Sequence, residues 1–154
     1  MKGRRFLQGF GWGAAATVVM SIPMIAGTLT GFSPMPKPIP AAIVGSLLGE
    51  IPKPLLLLFA ALSHLGYGGF WGGVLAISTK RVTIWNGLAL GVFLWLVMQV
   101  AVLPWLGWGP FGTTVTPMIA VATLVLHLIY GATLGWLTDR DAPAARIDRW
   151  QTAA

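Results

Sequence analysis

Val82 to Thr138 reads VTIWNGLALGVFLWLVMQVAVLPWLGWGPFGTTVTPMIAVATLVLHLIYGATLGWLT, 57 residues without one Asp, Glu, Lys or Arg. About 20 apolar residues cross a bilayer as a helix, so this stretch crosses twice. It turns at residues 106–114, where Gly107, Gly109, Pro110 and Gly112 cluster. Two further charge-free stretches, residues 6–36 and 54–79, each supply one crossing. Only 14 of the 154 residues are charged and the mean hydropathy is +0.78. A water-soluble domain of this size would lack the polar surface to cover itself. The sequence predicts an all-α integral membrane protein: a four-helix bundle over residues 1–138 with spans at 6–30, 54–78, 83–105 and 115–137, and a cytoplasmic tail at 139–154.

The net charge of +6 raises nucleic acid as a partner, and the placement of the cations argues against it. Lys2, Arg4 and Arg5 precede the first span, Lys80 and Arg81 join the second to the third, and Arg140, Arg146 and Arg149 follow the fourth. Only Lys37 and Lys53 fall on the other side. By the positive-inside rule both termini are cytoplasmic, in the inner membrane of a prokaryote, and no basic patch remains for nucleic acid. The absence of cysteine removes disulfides and thiolate sites together. Arg4-Arg5-Phe6-Leu7 has some likeness to a twin-arginine leader but lacks the residue between the arginine pair and Phe-Leu, and the apolar run outlasts a signal core. The segment is read as a retained first helix.

In the first outer loop Pro34, Pro36, Pro38 and Pro40 alternate with other residues, a spacing that predicts extended polyproline-like chain. Residues 41–49 are apolar but too short to span, and Pro-Lys-Pro brackets them on both sides, so a short interfacial or re-entrant helix is expected there. A connector lying on the membrane is the simpler role, and a plug or lid the functional one. Trp12, Trp71, Trp85 and Trp136 fall at the cytoplasmic ends of the spans and Trp105 and Trp108 at the outer ends. Trp95 lies at mid-span, where it suits contact with another membrane chain. The tail alternates charges of both signs around Ile147 and Trp150 and reads as a surface-lying end.

The segment His64-Leu-Gly-Tyr-Gly-Gly-Phe-Trp-Gly72 returns 63 residues later as His127-Leu-Ile-Tyr-Gly-Ala-Thr-Leu-Gly135. Helix one carries Gly9 and Gly13, then Val19-Met20, and helix three repeats this as Gly87, Gly91 and Val97-Met98. The chain therefore reads as two duplicated helical hairpins, related by a pseudo-twofold axis along the membrane normal because each has an even number of spans. Gly68 with Gly72 and Gly131 with Gly135 complete a set of four-spaced glycine pairs in every span, the pattern that lets helices approach closely in lipid. The bundle is thus tight at its cytoplasmic end, by simple packing or by splaying outward into a cavity.

Each histidine lies on the glycine-bearing face of its helix. At about 1.5 Å per residue, His64 lies about 21 Å from the cytoplasmic end of its span, His127 about 15 Å, and Met20 and Met98 about 21 and 22 Å. An ionisable group at such depth is a functional candidate by default. Three readings stand side by side. The imidazoles bond neighbouring helices through Ser63, Gln99, Tyr67 or Tyr130, contributing about 1 kcal/mol to association. Alternatively, with Met20 and Met98 they ligate haem b or copper, to which imidazole and thioether are suited. Or His and Tyr line a proton or small-solute pathway. If one group is bound, His64 and His127 face one another across the twofold axis.

Catalysis lacks its groups: no carboxylate lies within the spans, and neither a phosphate loop nor a His-Glu-x-x-His helix occurs. Ser63 and His64 are adjacent on a helix and point about 100° apart, so they are no nucleophile and base pair. The sequence favours a non-catalytic binding or assembly subunit, partnered by lipid, by other membrane subunits or by copies of itself. The ending His127-Leu-Ile-Tyr-Gly-Ala-Thr-Leu-Gly-Trp-Leu137 resembles the closing helix of small prokaryotic inner-membrane proteins of the YagU-like kind, in which a His-x-x-Tyr/Phe-Gly-x-x-x-Gly helix closes a four-span chain. The resemblance covers mainly helices two and four. It implies a membrane location and no established activity, and it supplies no catalytic residue.

Overall fold

Proline and threonine set the helix starts, because each resolves the backbone groups that a helix leaves unpaired at its N-terminus. Thr83 accepts from the backbone N–H of Asn86 while the Asn86 side chain accepts from the Thr83 N–H, a reciprocal cap. Prolines in the first turn open two other helices. The computed structural model describes residues 2–141, in five helices: α1 (Lys2–Thr30), α2 (Ile39–Leu48), α3 (Lys53–Ser78), α4 (Ile84–Trp105) and α5 (Met118–Asp141). Among the described residues there is no strand. The tail readings on Arg146, Ile147, Arg149 and Trp150 lie outside the described residues.

Helices α1, α3, α4 and α5 are long and apolar enough to cross a membrane, whereas α2, with 10 residues, is not. Their exterior is apolar, with Leu29 81% and Ile22 63% exposed, while Thr17, Gln99 and Thr123 lie inside at 1% or less. Water as solvent selects the reverse distribution, so the chain has the surface of a multi-pass membrane protein.

Three element bounds differ from the sequence reading for local reasons. Helix α1 begins at Lys2, four residues before Phe6, because the Arg5 guanidinium donates to the carbonyls of Thr79 and Lys80 and holds the first turns against the α3–α4 link. Helix α5 begins at Met118 where residue 115 was expected, since Pro117 disfavours helical backbone at Thr116. Helix α2 begins at Ile39 and takes Pro40 into its first turn, and residues 34–37 form successive bends, so the alternating prolines do not make the extended run that their spacing predicts.

The helices associate in two antiparallel pairs. In the α1–α3 pair a Cβ placed on Gly72 would lie 2.8 Å from the Gly13 Cα, and one on Gly13 3.0 Å from the Gly69 Cα. In the α4–α5 pair a Cβ on Gly87 would lie 2.9 Å from the Gly135 N, and one on Gly131 2.8 Å from the Gly87 carbonyl carbon. Such distances leave no room for a methyl group, so backbone meets backbone. The pairs meet along α1 and α5, while α3 and α4 approach little in backbone and touch through Trp71 and Phe93, whose rings meet edge-on at 5.9 Å. At the end carrying Lys2 and Asp141, the Trp12 indole donates to the Asp141 carboxylate at 3.0 Å, and Arg81 pairs with Asp139 at 2.6 Å.

Helix α4 is irregular where it nears its end. Residues Met98–Val102 form a π-helical turn, with the Leu103 N–H bonded to the Met98 carbonyl. Pro104 has no N–H to donate, and in a regular α-helix its ring would crowd the Val100 carbonyl, a conflict that a wider turn relieves. Trp95, expected at mid-span to face other chains, is used within the fold: its indole donates to the Ala120 carbonyl at 3.0 Å and its ring meets Phe111 edge-on at 5.9 Å. Phe111 holds a positive φ of 56° inside the α4–α5 loop.

Candidate ligand cavity between the helix pairs

Away from the glycine contacts the two pairs diverge, and a partly open cavity of about 260 Å³ lies between them. All four long helices reach it. Helix α1 contributes Thr17, Met20 and Met24; α3 contributes Ser63, His64, Tyr67 and Gly68; α4 contributes Leu94, Met98 and Val102; α5 contributes Thr123, Leu126, His127 and Tyr130. Met35 and the start of α2, with Ile39, Pro40 and Ile43, complete the wall. Helix α2 is held there because Ala41 and Val44 pack on Ala60 of α3 while Ile39 joins the main core.

Of the residues singled out in sequence, Met20, Ser63, His64, Tyr67, Met98, His127 and Tyr130 line this one cavity, and Gln99 does not. Gln99 is fully buried beside it in the π-helical turn, donating from Nε2 to Thr123 Oγ1 at 3.0 Å. Its Oε1 has no partner among the described residues.

The expected partners of the imidazoles are not the ones they have. Nδ1 of His127 lies 2.8 Å from the Thr123 carbonyl, which can only accept, so Nδ1 carries the proton. Nδ1 of His64 lies 3.4 Å from Ser21 Oγ, whose own proton goes to the Thr17 carbonyl at 2.7 Å. Nδ1 is therefore the donor in that contact too. In both rings the second nitrogen, Nε2, is left with its lone pair. Ser63 donates to Ala60 O at 3.1 Å and Tyr130 to Gly68 O at 2.6 Å, so neither bonds a histidine.

The two halves are unequal in detail. Tyr130, 2% exposed, reaches across to α3, while Tyr67, at the matching position, is 48% exposed and meets Trp71 edge-on. Ser21 follows Met20 as Gln99 follows Met98, yet only Ser21 touches a histidine. Sequence reasoning missed Thr17, Ser21, Met24, Met35 and Thr123 as parts of this site. Met24 stands four residues after Met20 and so on the same helix face, a signal that was available. Met35 reaches the cavity only through the course of the α1–α2 loop.

Chemically, the wall is a mostly apolar surface carrying two imidazoles and four thioethers. No group of three or more His, Cys, Asp or Glu side chains occurs among the described residues. No functionally curated protein and no solved structure matches the chain. The sequence from residue 3 to residue 148 matches the family of unknown function DUF6789, to which this chain therefore belongs.

Proposed function

We propose that this protein is a multi-pass protein of a prokaryotic inner membrane that binds a small group in the cavity between two duplicated helical hairpins, without catalytic turnover. One observation carries the reading: two histidines, supplied by matching segments of α3 and α5, line a single cavity on which all four long helices converge. Duplication accounts for that convergence, since an axis between the hairpins brings equivalent residues to one place. The eight-to-two distribution of basic residues supports cytoplasmic termini. On that orientation α2 lies at the outer face as a cover over the cavity. Exposed apolar faces suit lipid and leave room for self-association or for other membrane subunits, and the YagU-like resemblance fits the same picture.

Among candidate ligands, haem b is disfavoured by size: about 260 Å³ falls below the roughly 300–1,000 Å³ of pockets that hold drug-sized molecules, and a porphyrin would have to force the helix pairs apart. A proton or small-solute pathway would need a hydrogen-bonded chain through the protein, whereas the hydroxyls of Thr17, Ser63, Thr123 and Tyr130 are turned onto helix carbonyls.

The test combines topology with content. Reporter fusions at Lys37, Lys80 and Ala154 should place the first site outside and the other two inside. The protein purified in mild detergent should carry one group per chain, detected by absorption, elemental analysis and solvent extraction, and His127→Ala should release it. A folded wild-type protein that carries nothing and whose melting no metal ion or haem shifts would refute the binding reading. Comigrating membrane subunits would then point to an assembly role.

A further inference from the structure

We propose that the cavity is a copper(I) site, in which Nε2 of His64 and Nε2 of His127 bind one ion together with the thioethers of Met20 and Met98. The inference rests on the reading of the cavity as a binding site and names what it binds.

The argument begins with an inventory of protons. Thr17 donates to Gly13 O at 2.8 Å, Ser63 to Ala60 O at 3.1 Å, Thr123 to Ile119 O at 2.6 Å and Tyr130 to Gly68 O at 2.6 Å. Every hydroxyl in the wall except that of Tyr67 has thus given its proton to a helix carbonyl. Both imidazoles have turned their N–H outward, to Thr123 O and to Ser21 Oγ. What the lining side chains have left to offer is a set of lone pairs: two imidazole nitrogens, four thioether sulfurs and several hydroxyl oxygens. Such a wall has little to offer a carbonyl, carboxylate or phosphate ligand, which needs donors. It suits an acceptor of electron pairs.

The kind of acceptor follows from charge and softness. No Asp, Glu or Cys lines the cavity, so an ion bound there keeps its full charge within an apolar surround. The cost of taking an ion out of water rises with the square of its charge, so a dication would suffer roughly four times the penalty of a monocation. Thioether and imidazole are soft and borderline ligands, matched to copper(I) and poorly matched to Mg²⁺, Ca²⁺ or Mn²⁺. Imidazoles that bind metal commonly donate their other N–H to a backbone carbonyl, as His127 does to Thr123, and this fixes ring and tautomer. Methionine is unbranched and adaptable, so Met20 and Met98, both in the core and on opposite helix pairs, can close the coordination.

The experiment uses the full chain in mild detergent under anaerobic conditions, titrated with copper(I) against a chromophoric copper(I) chelator. One ion per chain should bind. His64→Ala and His127→Ala should each weaken binding at least about a hundredfold, beyond the 10–100-fold that disturbing an outer partner costs, and Met98→Leu about tenfold. His127→Gln serves as a second variant should the alanine change unfold the protein. X-ray absorption at the copper edge on the wild type, which needs no variant, should show both nitrogen and sulfur neighbours. Silver(I) should displace the copper and zinc(II) should not.

Absence of stoichiometric copper(I) in folded wild-type protein, or binding unchanged in the double histidine variant, would overturn the assignment. So would a copper edge without sulfur neighbours. If copper(I) fails while the purified protein still carries another group that His127→Ala releases, the metal assignment falls and the binding reading stands. If neither is found, both fall.

Discussion

Replacing Gly131 by alanine tests the close approach on which the α4–α5 pair depends. The added Cβ would lie 2.8 Å from the carbonyl carbon of Gly87 and 3.0 Å from the Cα of Leu88, both backbone atoms with no rotamer to give way. Carbon atoms in favourable contact sit about 3.5–4.0 Å apart, so the helices must separate locally by the better part of an ångström. Overpacking of this kind costs about 1–3 kcal/mol, and the gain in helix propensity from glycine to alanine returns at most about 1 kcal/mol. The net loss is about 1–2 kcal/mol, a factor of about 5–30 in the unfolding equilibrium. Gly11 is the control, because a Cβ there meets nothing within 4 Å, and Gly11→Ala keeps only the propensity gain. Both variants and the wild type would be unfolded reversibly in mixed micelles and followed by circular dichroism. Gly72→Ala, whose Cβ would fall 2.8 Å from the Gly13 Cα, should behave like Gly131→Ala. A Gly131→Ala protein as stable as wild type, or a Gly11→Ala protein equally weakened, would refute backbone contact as the source of the pairing.

Three other perturbations probe separate parts of the structure. Thr123→Val removes the acceptor of the buried Gln99 Nε2 and should destabilise by about 1–3 kcal/mol, whereas Gln99→Leu also removes the unpartnered Oε1 and should be close to neutral, both read in the same unfolding assay. Phe111→Gly relieves a positive φ that costs about 1–2 kcal/mol but gives up the edge contact with Trp95, worth about 0.5–1.5 kcal/mol beyond the burial it also loses. With the burial included the losses exceed the relief, so the variant should be less stable by about 1 kcal/mol, and Trp95 fluorescence should shift clearly. Asp139→Asn should leave the unfolding midpoint in place at ordinary salt. The Arg81 guanidinium, held by that carboxylate above its usual range, lies in solvent where such pairs are screened.

The four long helices were readable because charge stops at their boundaries and apolar residues fill what lies between. The glycine faces were readable because a spacing of four is a spacing along one side of a helix. The repetition of His64 and His127 put each on the glycine-bearing face of its helix, but the cavity that both line follows from the packing of four helices. The hydrogen-bond partners of the two histidines could not be read either, because Ser21, on α1, depends on how α1 lies against α3, and the Thr123 carbonyl is a backbone group that leaves no mark in the sequence. Gln99 is the buried polar residue that its place in an apolar span suggested, but its partner Thr123 depends on how α4 lies against the last helix. Trp95 follows Gly87 and Gly91 at a spacing of four and so shares the face that meets that helix, a signal that was available. Pro40 was read by spacing alone, yet proline at the first turn of a helix opens it as readily as it extends a loop.

The weak packing between α3 and α4 gives the short link at residues 79–83 an energetic meaning. Two hairpins joined by so few residues meet at an effective concentration in the millimolar range or above, whatever their intrinsic affinity. The α1–α5 seam, together with the bond from Tyr130 of α5 to Gly68 of α3, need therefore be no tighter than a transient complex to remain closed. A chain cut within that link would reveal the true affinity of the halves. It would also show whether a group held from both sides is what keeps them together.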